Sequence, residues 1–357
     1  MSFHSRTRVE TDISALKSNV GKIRSLAPEK EIIAVVKANA YGHGDDIVCP
    51  ALKDAGVNFF AVSCIDEAVH ISEFVSGADI LIFGFTEPER LKSAAGHGFI
   101  LTAGDMNYAR ELSNFTCREN VKFRVHVKIN TGMNRVGINT EQELDEILSL
   151  PGLNCEAIYT HFSCADSMNA DDIAFTRSQQ EKFLAFTKGK GLKIHSQNSG
   201  GALFHSEFEG DYVRVGLALY GLMPGLSPVM SLKSEIHQLR TLTAGDFVSY
   251  GRTFKASEKI LAAVVPAGYA DGYSRMHSNS GLTAVKNTLC PVLGRVCMDQ
   301  IVIDVSKVAD VKIGDEVLLY SPKFKETNIE YIAEKLGTIP YEVVCAVSHR
   351  VQRVPVH

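Results

Sequence analysis

Lys37 ends the apolar run Ile32-Ile33-Ala34-Val35-Val36 and opens the small, polar stretch Ala38-Asn39-Ala40-Tyr41-Gly42-His43-Gly44. A short run of β-branched and apolar residues reads as a strand buried on both faces. Lysine is seldom fully buried without a partner, because its ammonium loses hydration there. At the exit of such a strand it either snorkels to solvent or stands ready for chemistry. The tyrosine and histidine set among glycines directly behind it favour chemistry. A second set of basic side chains lies in Arg124-Val125-His126-Val127-Lys128-Ile129. The period of two in a strand puts Arg124, His126 and Lys128 on one face. That stripe is either a functional face or a solvated sheet edge, and the segment alone does not decide between them.

The elements that must position these residues fall into two groups. From about residue 12 to 220, apolar runs near 31–36, 58–63, 79–84, 98–102, 121–129, 155–162, 193–197 and 211–215 alternate with amphipathic segments such as 45–55, 66–75, 105–115 and 141–148. Asp12 can cap a helix that Pro28 ends. The alternation predicts an α/β fold of the (β/α)8 TIM-like barrel type, with an open doubly wound sheet as the competing architecture. A GxGxxG turn after the first strand, which a dinucleotide-binding sheet would carry, is missing. After about residue 225 the segments 230–242, 258–266, 282–287, 290–296, 300–305 and 315–320 are short and rich in Val, Ile and Leu, and only 327–336 reads as helical. The expected domains are therefore a barrel over 1–225 and a C-terminal mostly-β domain over 226–357, with residues 1–11 a candidate strand of the second. In the barrel, Lys37 would stand at the carboxyl end of its strand, the rim where barrel enzymes gather their chemistry.

Composition narrows the function. The 357 residues are 45% hydrophobic and 22% charged, with a formal charge of −4 and no long run of one sign. That provides no positive field for nucleic acid or anionic lipid. No stretch approaches the roughly 20 apolar residues of a membrane span, and MSFHSRTRVETD has no apolar core that could act as a signal sequence. A cytoplasmic protein is expected. The eight cysteines are scattered without a CxxC pair, which fits reduced thiols rather than a disulfide framework or a metal site.

Eight stretches together carry a resemblance. Residues 34–44 (AVVKANAYGHG), 131–138 (TGMNRVGI), 159–163 (YTHFS), 198–200 (NSG), 214–222 (RVGLALYGL), 248–254 (VSYGRTF), 266–275 (PAGYADGYSR) and 294–300 (GRVCMDQ) resemble the alanine racemase family, in the family's order and over nearly the whole chain. The resemblance implies a pyridoxal 5'-phosphate (PLP) barrel followed by a β domain, acting on a small amino-acid substrate and supplying D-alanine for peptidoglycan. It implies that Lys37 forms the imine with PLP, since only a primary amine gives an imine that a substrate amine can displace. Lys37 and Tyr269 would then serve opposite faces of Cα. Tyr41, Asn198, Ser199 and the backbone of Gly216 and Leu217 match the phosphate cradle, and His161 and Arg214 match residues that support the tyrosine. Arg214 would face the PLP ring nitrogen; as an obligate donor it would keep that nitrogen unprotonated and favour quick reprotonation over decarboxylation or transamination. Arg135 matches a residue that orients the substrate carboxylate. Met298 matches a backbone contact to it, with Asp299 beside it, and Lys128 matches a lysine that is often carbamylated. A homodimer whose partner supplies Tyr269 and Met298 is implied in the same way.

Four positions depart from the family pattern. Val215 and Gln352 replace prolines, and Asn130 replaces an aspartate. His349 stands where a tyrosine lines the phosphate and substrate pocket. Imidazole is smaller than phenol, so a serine or broader amino-acid racemase is the nearest alternative. A non-catalytic PLP carrier is a more distant one, and residues 226–357 argue against it.

Overall fold

The computed structural model describes residues 7–357. One compact unit holds residues 17–40 and 49–219; the other holds 7–16, 41–48 and 220–357. The first strand, β1 (Arg8–Asp12), lies in the second unit. The first unit contains β2 (Glu31–Val35), β3 (Phe59–Val62), β4 (Asp79–Ile82), β5 (Ile100–Ala103), β6 (Phe123–Lys128), β7 (Leu153–Tyr159), β8 (Lys193–His195) and β9 (Tyr212–Val215).

All eight of these pair in parallel, in the order β8-β7-β6-β5-β4-β3-β2-β9. Backbone bonds from Asp211 N to Ile194 O (2.8 Å) and from Arg214 N to Gln197 O (3.0 Å) join the two ends of the sheet. This is the (β/α)8 TIM-like barrel, and its near-continuous apolar strands are what burial on both faces demands. The helices between strands start where local chemistry places them. Asp12 accepts from Ala15 N at 2.8 Å, and Asp105 accepts from Tyr108 N at 3.0 Å. Thr140 and Glu143 form a reciprocal capping box at the start of Glu141–Ser149.

The second unit is mostly β. A six-stranded sheet runs Thr288–Pro291, Leu282–Val285, Glu316–Tyr320, Met230–Glu235, β1 and Gln352–Val356, with only the last pair parallel. A three-stranded sheet joins Gln238–Leu242, Ile260–Val265 and Ile301–Asp304. The segment 230–242, expected as one strand, is two. Ile236 N bonds Asp315 O while His237 N bonds Val264 O, so the chain changes sheets there. A second helix, Pro340–Cys345, follows Ile329–Leu336, where only 327–336 was expected to be helical; Pro340 sits in its first turn, where a missing N–H costs nothing. No helix among the described residues is long and apolar enough to cross a membrane.

Candidate active site

Lys37 follows β2 at the carboxyl rim and begins a turn of unusual hand. Ala38 (φ 53°, ψ 52°), Asn39 (55°, 52°) and Ala40 (50°, 49°) are all left-handed, and Tyr41 (φ 54°) continues the run. Left-handed helix costs L-residues roughly 1–2 kcal/mol each and normally appears one residue at a time. Such strain persists only where the surroundings over-determine it, and it clusters at functional sites. Ala40 N bonds back to Val36 O at 2.9 Å, and Ala38 N donates to the Glu67 carboxylate at 2.7 Å. In the second unit, Tyr41 is buried with its ring 5.0 Å from Tyr220 and 5.8 Å from Tyr341, while Gly42 O accepts from Arg353 Nε at 3.0 Å. A Cβ at Gly42, itself left-handed at φ 79°, would come within 2.3 Å of Val344 O.

The basic stripe of β6 is internal rather than a solvated edge, and its residues sort by height along the barrel. Arg124 at the amino end forms ion pairs with Asp79 (2.5 Å) and Glu156 (2.8 Å). His126 in the middle meets His195 at 3.0 Å. Lys128 at the carboxyl end is buried, with Nζ 5.6 Å from the Tyr159 ring centre. Burial, then the nearby charges of Arg135, Arg214 and Lys37, lower the Lys128 amine to about 8. Among the described residues no carboxylate forms an ion pair with Lys128, Arg135 or Arg214. The rim is therefore short of negative charge, and an anionic ligand would relieve it.

Arg214, 2% exposed at the end of β9, anchors this network. One terminal nitrogen donates to His195 Nδ1 and His195 O, both at 2.9 Å. The other donates to Thr160 O (2.6 Å), Ser196 O (2.9 Å) and His161 Nδ1 (3.3 Å). Because guanidinium only donates, these bonds fix tautomers. Nδ1 of His195 must accept, so its Nε2 carries the proton and donates to His126 Nδ1. His161 likewise carries its proton on Nε2. Burial, followed by Arg214, holds His161 and His195 well below the ordinary histidine range, so both are neutral. Tyr159 stacks on His195 with ring centres 4.8 Å apart and planes 3° from parallel, and its face lies 5.3 Å from the Arg214 guanidinium. Thr102 donates to Ile82 O, so the Tyr159 hydroxyl must donate to Thr102 (2.9 Å). Among the described residues the Arg214 Nε–H meets no protein acceptor, which leaves one donor for a ligand.

The remaining barrel residues are placed by local bonds. Ser199 begins the short helix Ser199–Phe204, and its hydroxyl accepts from Gly216 N (3.1 Å) and Ala218 N (3.3 Å), tying that helix to the end of β9. Leu217 is buried beside it. Asn198 is spent structurally, because its Oδ1 accepts from Gly201 N and its Nδ2 donates to Phe162 O. Arg135 is exposed on the loop after β6, where Asn130 Oδ1 accepts from Gly132 N and Asn134 N. Asn130 also donates to Asn134 and Asn139, bonds that an aspartate could not make.

Tyr269, Met298, Asp299 and His349 belong to the second unit. Tyr269 is 42% exposed and Met298 52% exposed, yet their backbones are rigidly joined: Tyr269 N donates to Cys297 O and Ala270 N to Met298 O. A Cβ at Gly268 would lie 2.3 Å from both carbonyl oxygens, so only glycine fits. The sequence reading missed what holds this turn from the other side. Arg350 Nε donates to Asp271 Oδ1 and its terminal nitrogen to Asp299 Oδ1, both at 2.8 Å, while Asp271 Oδ2 accepts from Gly268 N at 2.8 Å. Ser348 N reaches Asp271 O at 3.4 Å, and His349, the next residue in the chain, is exposed. His195 was missed as well, as an ordinary strand residue, and Tyr159, though within the stretch 159–163, was given no role.

Models of known families match the chain along almost its full length: alanine racemase, N-terminal domain, over residues 11–224 and alanine racemase, C-terminal domain, over 229–355. The alanine racemase of Clostridium perfringens is 39% identical, over 97% of this chain and 94% of that protein. Among solved structures, the alanine racemase of Clostridium difficile 630 is similar with a TM-score of 0.93 and 31% identity, covering 99% of this chain and 97% of that one. The Bacillus anthracis alanine racemase with bound L-Ala-P is similar with a TM-score of 0.91 and 30% identity, covering 100% and 96%.

Proposed function

The chain belongs to the alanine racemase family, and on that premise we propose that Lys37 and Tyr269 are the two acid–base groups serving opposite faces of the substrate Cα. The protein is a PLP-dependent isomerase that interconverts L- and D-alanine. Bound PLP supplies a carbonyl carbon that amines condense with and an electron sink for the Cα–H bond. The residues of the rim fit such a group. Lys37 offers the primary amine, the cations of Lys128 and Arg214 suit an anion, and the Ser199 hydroxyl, which accepts from Gly216 N and so keeps its proton to donate, suits a phosphate together with the Leu217 backbone. Asn198 holds the helix that presents Ser199, and Tyr41 and His349 match the family positions that complete such a cradle.

The observation that supports this reading most is the fixed donor network of Arg214. Guanidinium held by five acceptors cannot hand a proton to a ring nitrogen. A ring nitrogen facing it would stay unprotonated, so the electron sink that PLP would supply would be weak, which favours quick return of a proton to Cα. His161, neutral and with Nε2 as donor, orients the phenolic oxygen of Tyr269. Arg135 directs the substrate carboxylate with its forked donors, and the Met298 amide takes the other carboxylate oxygen. Lys128, already lowered toward neutrality, is suited to capture carbon dioxide as a carbamate, giving Arg135 an anionic partner. The outward exposure of Tyr269 and Met298 suits a homodimer in which each subunit completes its partner's site. In this reading the enzyme works in the cytoplasm and supplies D-alanine for peptidoglycan.

Chiral analysis of product from a panel of L-amino acids, with the native enzyme and Lys37→Ala, tests the assignment. Alanine is expected to be turned over ahead of serine, and Lys37→Ala to be inactive. PLP-loaded native protein that leaves L-alanine optically unchanged would overturn it. A serine rate above that of alanine would shift the substrate to the alternative that His349 raised.

A further inference from the structure

We propose that Glu67 is a positioning residue for Lys37, holding the strained turn that presents the amine. The proposal deepens the reading above and rests on Lys37 being the imine-forming lysine. Glu67 is the third residue of the helix Ile65–Ser72, the place where a capping-box glutamate normally turns back to its own helix start. Here the cap is only half made. The residue before the helix, Cys64, gives no side-chain cap, and Glu67 Oε2 accepts from Ser63 N at 2.7 Å. Its other oxygen leaves the helix altogether and accepts from Ala38 N at 2.7 Å, 29 residues away in sequence.

Ala38 N–H belongs to the peptide plane that also contains the Lys37 carbonyl. Fixing that plane fixes the ψ angle of Lys37 and thereby the direction in which its Cα–Cβ bond leaves the backbone. Ala38 is also the first residue of the left-handed run. A carboxylate is a strong acceptor for an amide N–H, roughly twice as strong as a neutral oxygen. Asp66, next to it on the same helix, does nothing comparable: its carboxylate faces Arg90 at 2.8 Å. The two carboxylates thus separate a clamp on the rim from an ordinary surface ion pair.

The test compares Glu67→Ala, Glu67→Gln and the control Asp66→Ala by amide hydrogen exchange of the cofactor-free protein, and by the rate at which added PLP becomes reducibly attached to Lys37. In Glu67→Ala, exchange over residues 37–41 is expected to quicken by roughly 10–100-fold, with the rest of the barrel unchanged and PLP attachment slowed. Glu67→Gln, which keeps one acceptor, falls between, and Asp66→Ala behaves as the native protein. Native exchange at 37–41 in Glu67→Ala overturns the proposal. So does an acceleration spread evenly over the barrel, or an equal effect of Asp66→Ala. Native protein that attaches PLP at a lysine other than Lys37 overturns the underlying assignment instead, and does so whatever the exchange results.

Discussion

The rim around Lys37 and the turn around Tyr269 hold their functional residues by opposite means. Around Lys37 the buried charges of Lys128 and Arg214 are positive, and the backbone itself is strained into a left-handed run held by the Glu67 carboxylate. Around Tyr269 the side chain is open to solvent, and the backbone is bolted down by carbonyls, a glycine fit and the carboxylates of Asp271 and Asp299 on Arg350. The contrast suits two different acid–base tasks. An amine is aimed by a strained backbone, whereas a phenol whose turn cannot move relies on placement and on donors brought to it.

Changing either base should have the largest effect. Lys37→Ala is expected to lose racemisation by about 10⁴-fold or more, and Tyr269→Phe by roughly 10²–10⁴-fold; steady-state rates in both directions check this. Gly268→Ala comes next, because its methyl would enter the space of two carbonyl oxygens. It should lower kcat by about 10²-fold while leaving the attachment of PLP at Lys37, a residue of the other unit, untouched. Equal losses of both would remove the distinction between the two regions. Arg350→Met should cost less, roughly 10-fold in kcat, since Cys297 O and Met298 O still hold the turn.

Lys128 gives the smallest and most diagnostic effect. Its folded-state value of about 8 lies below the ordinary 10.5, so the charged form is the one that burial penalises. Folding stability should therefore rise with pH between about 8 and 10.5 and be lowest below that window, by at most about 3 kcal/mol. In cofactor-free, bicarbonate-free protein at pH 7.5, Lys128→Met should raise Tm by a few degrees, a gain that vanishes above pH 10.5. Thermal melts across pH settle it, and an unchanged Tm at both ends would mean the cation crowding is relieved by something else.

Much of this was legible because it depends on local pattern. The buried run before Lys37 and the alternation through Arg124, His126 and Lys128 are direct consequences of strand geometry. What stayed hidden depends on tertiary placement. Ala38-Asn39-Ala40 carries only a single asparagine as a hint of left-handed backbone, and the partners that stabilise it come from elsewhere in the chain. Arg350 meets carboxylates 79 and 51 residues away, which no spacing reveals. The helix Ala170–Thr187 buries Thr176, Gln179 and Gln180 beside Phe183, so its inward face does not look apolar. His349 was legible as a departure, but its consequence for substrate choice was not.

The central claim is that two groups work on opposite faces of one carbon. Cα exchange of each alanine enantiomer in deuterated water, followed by NMR with the Tyr269→Phe enzyme, tests it most directly. The account predicts that the enantiomer addressed by Lys37 still exchanges its Cα proton with retention of configuration, while the other is inert and neither racemises appreciably. Equal exchange from both enantiomers, or continued racemisation, would contradict it.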